Sequence, residues 1–147
     1  VTVASHIEHY GGEYGRYYKD VMDRIKSGTK DYIILSHVSS VYNEDSQSIE
    51  DRVPLKGAIG KLGCESDFSH ILTTKLVKTK VLADRECSLL NVTEEDKEDE
   101  SKLVFQTRPF KSEASLSRSP IGFWDRSELY IDNNINHVLD RIKEYRS

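Results

Sequence analysis

Three stretches of the 147-residue chain predict an α/β domain: an amphipathic helix, a continuous apolar strand directly after it, and an antiparallel pair of strands that leads to a terminal helix. In the first stretch, Tyr14, Tyr17, Tyr18, Val21, Met22 and Ile25 recur at steps of three and four, which puts them on one helical face over Tyr14–Ser27. Gly28 follows as a C′ residue, with Arg24 and Lys26 in the last turn where cations favour the macrodipole. In the second, Asp31–Val38, the residues Tyr32-Ile33-Ile34-Leu35 do not alternate, the pattern of a strand buried on both faces of a parallel sheet. It stops at Ser36-His37 and so delivers an imidazole to a strand end. In the third, Leu76–Leu82 and Leu103–Thr107 are natural antiparallel partners. The predicted architecture is a mixed sheet with flanking helices and an antiparallel C-terminal hairpin.

Composition narrows the class. With 37% hydrophobic and 31% charged residues, the chain reads as one ordinary domain over 1–147. The net charge of −4 gives no global electrostatic footprint for nucleic acid or an anionic membrane. Cys64 and Cys87 have neither metal-site spacing nor disulfide density, so two free thiols in a reducing compartment are expected. No apolar run approaches the roughly 18 residues that span a bilayer, and no signal peptide is visible, so the expectation is a cytoplasmic protein without membrane contact. The chain opens at Val1 in a β-favouring stretch, Val1–Ala4, without an initiating Met, and reads either as a domain cut from something longer or as a reading frame truncated at its start.

The remaining elements follow in order. Glu8–Gly12 reads as a loop because paired glycines punctuate regular structure. Ser39–Val53 is polar and acidic and reads as a long functional or mobile loop. Pro54–Gly63 reads as a short proline-initiated helix weakened by its glycines. Phe68–Leu82 alternates like one long strand or two, and Glu94–Glu100 reads as a solvated acidic hairpin tip. Lys111–Pro120 is polar and Ser-rich. Glu128–Ile131 is a last short strand, Asp132 or Asn133 supplies an N-cap, and Ile135, Val138, Leu139 and Ile142 form the stripe of a final helix.

The runs Phe105-Gln106-Thr107-Arg108-Pro109, Arg118-Ser119-Pro120-Ile121-Gly122-Phe123-Trp124 and Tyr130-Ile131-Asp132-Asn133-Asn134 resemble the C-terminal half of bacteriophage ATP-binding proteins of the RecA-like P-loop class, which act in phage DNA recombination or replication. The helix Tyr14–Ser27 and the run Ile33–His37 match the same family's helix and sensor strand. The resemblance covers most of this chain and only part of the family's domain. It implies a partial RecA-like P-loop fold, bound ATP and Mg²⁺, host-cytoplasmic location, single-stranded DNA as a partner, and either a homo-oligomer or a completing upstream segment. The chain departs from the family in lacking any Gly-x-x-x-x-Gly-Lys-Ser/Thr, so ATPase activity would need a phosphate loop from elsewhere.

By that likeness His37 is the γ-phosphate sensor, and the loop after it the moving, DNA-facing segment. A histidine simply hydrogen-bonded at a strand end is the alternative. Arg108, Lys111 and Arg118 are candidates for nucleotide contact or for reaching nucleotide across a subunit interface. Lys75, Lys78 and Lys80 are candidate DNA contacts, or a solvated strand face. His6 and His9, with Glu8 or Glu13, make an incomplete ligand set, and no metal is predicted there. Asp67 reads as a turn or cap residue, and Ser36 beside His37 is no nucleophile–base pair, since adjacent strand residues point to opposite faces. The rival class is a non-catalytic α/β interaction module.

Overall fold

The computed structural model describes residues 3–54, 64–110 and 115–147, with side chains of the first helix from residue 12 onward. The chain is a mixed α/β protein with small antiparallel sheets and, among the described residues, four α-helical segments. It divides into two compact units, Val1–Phe68 and Ser69–Ser147. The parallel pairing expected from the apolar run is not found among the described strands, which pair antiparallel throughout.

In the first unit, helix α1 spans Val3–Ser27. It takes in both the β-favouring opening and the predicted Glu8–Gly12 loop, because the apolar period Val3, Ile7, Tyr10, Tyr14 runs unbroken through the glycines. Each interior glycine costs about 1 kcal/mol relative to alanine, which a helix of this length absorbs. Gly28 ends α1, its N–H bonding Ile25 O at 3.1 Å. Its φ is not in the left-handed region, and a Cβ there would stand 2.8 Å from the tip of the exposed Tyr32 side chain, which would have to shift. Met22 and Cys64 are buried, and Asp67, in a 3₁₀ turn over Glu65–Asp67, accepts from Tyr18 Oη at 2.9 Å and Lys26 Nζ at 2.5 Å.

Beyond α1 the sequence expectations change most. Asp31–Val38 is assigned no regular secondary structure and pairs with no strand among the described residues. Its β-branched and aromatic composition favours a strand, yet a strand also needs a neighbour to take its N–H and C=O groups. The predicted loop Ser39–Val53 is instead a hairpin, β1 Ser39–Asn43 with β2 Ser48–Arg52. Asn43 organises its turn: Oδ1 accepts from the N–H of Asp45 at 2.9 Å and Nδ2 donates to Glu50 Oε1 at 2.8 Å. The predicted helix Pro54–Gly63 lies, from residue 55 on, outside the described residues.

The second unit is built on the sheet β3–β4–β5, comprising Thr73–Lys78, Ser101–Gln106 and Tyr130–Asp132. Leu76 faces Leu103, so the predicted partners are correct. The first strand stops earlier than Leu82, because α2, Thr79–Leu82, turns to bury Leu82. One sheet face carries Val77, Val104 and Tyr130, packed with Leu82, Leu90, Val92 and Phe110 from the chain between and after β3 and β4. The other carries Phe105 and Ile131 against Phe123, Trp124, Val138 and Ile142. Val138 and Ile142 come from α4, Ile135–Arg146, the predicted final helix. Its N-cap is Asn134, whose side chain accepts from Asn136 N, one residue past the predicted pair.

The acidic tip predicted over Glu94–Glu100 is a capped helical turn, α3, Glu94–Glu98. Thr93 and Asp96 form a reciprocal capping box, and three acidic residues in the first turn suit the positive end of the helix dipole. Lys102 Nζ then fastens this turn to the sheet, 2.9 Å from Asp96 and 3.5 Å from Asp132.

Candidate functional site

The candidate sensor segment is the most exposed apolar stretch of the first unit. Tyr32, Ile33, Ile34, Leu35 and Val38 are all exposed, Leu35 to 92%. His37 is exposed as well, and Ser36 Oγ donates to the carbonyl of His37 at 3.1 Å rather than to its ring. The segment is bounded by α1, against whose end Tyr32 packs at Gly28, and by the β1–β2 hairpin. It thus presents an imidazole and a row of apolar side chains to solvent, in a stretch without regular structure between a helix and a hairpin.

The predicted basic positions do not form one surface. Lys75 shares the inward face of β3 with Thr73 and Val77, whereas Lys78 shares the opposite face with Thr74 and Leu76. Lys80 sits in α2. Arg108 Nη2 donates to the carbonyl of Arg126 at 2.8 Å, so this guanidinium is spent in part on backbone. Arg118 is exposed and its backbone bridges Ile71, with N···O distances of 2.7 and 2.8 Å. Lys111 lies outside the described residues, as do the side chains of His6, Glu8 and His9. Glu13, the remaining member of that ligand set, pairs with Arg16 at 3.2 Å. Among the described residues, no three His, Cys, Asp or Glu side chains converge as a metal site.

Other features went unpredicted. Arg85 lies over the rings of Tyr130 and Phe110, 5.0 and 5.7 Å from their centroids. It lines an open cavity of about 510 Å³ with Lys80, Lys97, Leu82, Leu90 and Val92. The Ser-rich stretch hides a buried polar seam. Ser117 Oγ donates to Thr73 Oγ1 at 2.8 Å, Thr107 Oγ1 to the carbonyl of Glu128 at 2.7 Å, and Trp124 Nε1 to Ser119 Oγ at 3.1 Å. Buried Glu128 accepts from Asp125 N at 2.8 Å and from Arg141, whose guanidinium covers the Trp124 ring. A polar composition predicts solvent, and nothing in the spacing of these residues marks them as inward-facing.

Electrostatics follow the same contacts. The Lys26 ammonium and the Tyr18 hydroxyl hold the Asp67 carboxyl below its usual range, while burial and the bond to Asp67 push the Tyr18 phenol up. Asp67 is therefore the bonded turn residue that its position predicted. Lys102, with the capping bonds of Thr93, holds Asp96 at about 2. None of these perturbed groups adjoins His37 in sequence, and each is accounted for by a structural bond. No helix among the described residues is long and apolar enough to cross a membrane. No protein-family model, curated protein or solved structure matches the chain.

Proposed function

We propose that the chain is the C-terminal portion of a RecA-like ATP-binding domain of the phage recombination and replication class, completed by a segment that carries the phosphate loop. The observation that carries this reading is the exposed run Tyr32–Val38. An exposed row of Tyr, Ile, Ile and Leu, between a helix and a hairpin in sequence and ending in Ser-His, has the composition of an interior strand and no strand beside it among the described residues. Contiguous exposed apolar surface of this kind marks a site that another segment covers. A strand of the completing segment would pair with this run, cover its apolar side chains, and bring His37 to the edge where ligands of open α/β sheets gather.

The described residues do not themselves fit ATP or Mg²⁺. His37 stands alone in solvent, Arg108 is bonded to Arg126 O, and the sequence contains no phosphate-binding loop. Triphosphate and metal would be held by the completing segment, and the part left to this chain is to sense the nucleotide through His37. Single-stranded DNA and further copies of the chain are the partners the reading implies. The rival, a non-catalytic interaction module, draws on the same exposed surface.

Titration separates the two. Mixed with a segment bearing a phosphate loop, the chain is expected to bind ATP saturably, and His37→Ala should weaken binding or nucleotide response by about tenfold, the loss of one charge-assisted contact. The variant removes an exposed side chain and should leave the fold intact. Absence of nucleotide binding in the completed protein would leave the interaction module as the reading.

A further inference from the structure

The open cavity of about 510 Å³ in the second unit combines three cations with a hydrocarbon lining. Lys80 reaches it from α2, Arg85 from the chain just after α2, and Lys97 from α3, while Leu90 and Val92 supply apolar surface. Among the described residues that line it, none is acidic and none is aromatic. Its volume is that of a small-molecule site. The three cations are not equivalent. Lys97 is already paired with Glu94 at 2.6 Å. Lys80 is exposed and has no bonded partner among the described residues. Arg85 is placed by packing, its guanidinium carbon 5.0 Å from the Tyr130 ring centroid and 5.7 Å from that of Phe110. Those rings attract the charge and offer its N–H groups no oxygen acceptor. Arg85 Nε is buried without a hydrogen-bond partner. Among the described residues no carboxylate pairs with Arg85, its exposed sequence neighbours Asp84 and Glu86 included. A guanidinium held in place with its donors unspent, at the wall of a cavity, is a receptor for an anion.

We propose that this cavity binds a small organic carboxylate with a short aliphatic body. Arg85 takes the carboxylate, Lys80 adds its charge at the exposed rim, and the body lies on Leu90 and Val92. With Lys97 neutralised by Glu94, two uncompensated cations remain, which match a singly charged head better than a triphosphate. An aliphatic lining without a ring suits an aliphatic body better than a flat base. The inference uses neither His37 nor a phosphate loop and stands apart from the reading of the first unit.

Titration of the 147-residue chain with hexanoate, followed by backbone amide NMR shifts, tests it. Shifts are expected to saturate over Thr79–Val92 and at Lys97, with a Kd of roughly 1 mM for so small a ligand. Hexanamide, which keeps the body and lacks the charge, and acetate, which keeps the charge and lacks the body, should each bind at least about tenfold more weakly. Arg85→Gln should weaken hexanoate about tenfold, and Lys80→Gln at least about threefold. Lys80 is exposed, so its variant keeps the test decisive should Arg85→Gln fail to fold by circular dichroism. The inference is overturned if hexanoate gives no saturable shift in this region, or if its shifts gather on Tyr32–Val38 instead. Equal binding of hexanamide, wild-type affinity in folded Lys80→Gln, or ATP that displaces hexanoate and binds the cavity more tightly would each overturn it as well.

Discussion

His70 shows how much one side chain can set. Its ring lies against Phe123 with centroids 4.3 Å apart, and its buried Nδ1 has no hydrogen-bond partner among the described residues. Burial, and then the Arg146 charge, lower its pKa below the ordinary 6.5. The folded state therefore holds His70 neutral while the unfolded chain takes up a proton first. Its contribution to stability is complete above pH 6.5 and is lost as pH falls from there toward the depressed folded value. Melting temperature measured between pH 8 and pH 5 should be level at the top of that range and decline below 6.5, and His70→Phe should flatten the decline. The lowered carboxyls of Asp67 and Asp96 act in a separate, more acidic window: their stabilisation is present above about 3.8 and is lost as pH falls through their depressed values. An unchanged slope in His70→Phe would put the pH response on another group.

At the scale of elements, the hairpin turn makes a similarly local prediction. Gln47 holds φ at +50°, a conformation that costs a non-glycine residue roughly 1–2 kcal/mol. Gln47→Gly relieves that cost and loses part of the gain to the greater freedom of the unfolded chain, for a net stabilisation of about 0.5–1 kcal/mol. Slower amide exchange across the β1–β2 ladder would report it, and faster exchange would refute it. Which elements could be read from sequence follows from what forms them. Helices α1 and α4 write their period into consecutive residues, and β3 and β4 were legible because alternation and register agree over Leu76 and Leu103. The hairpin was hidden because its pairing depends on Asn43 folding the turn, while its acidic composition resembles a loop. The turn at α3 was hidden for the same reason, although Thr93 three residues before Asp96 is a visible capping signal.

For the whole molecule, legibility failed where structure depends on partners. Tyr32–Val38 has every local mark of a buried strand, and composition cannot say whether the strand beside it is present. Ser117 and Thr107 are buried because distant segments converge on them, which no neighbouring residue reveals. The same dependence yields a sharp expectation for the proposed pairing with a completing segment. With no ladder partner among the described residues, the amides of Tyr32–Val38 should exchange with deuterium at nearly unprotected rates in the isolated chain. Pairing with a strand of the completing segment would close those N–H groups into a sheet and slow their exchange by more than about a hundredfold. The second-unit sheet, already paired through β3, β4 and β5, should change little under the same treatment and so acts as the internal reference. Protection confined to Tyr32–Val38 and its flanks would favour strand completion. Equal slowing everywhere would reflect general stabilisation by binding, and no change at Tyr32–Val38 would mean that this run is not the place where the domain is completed.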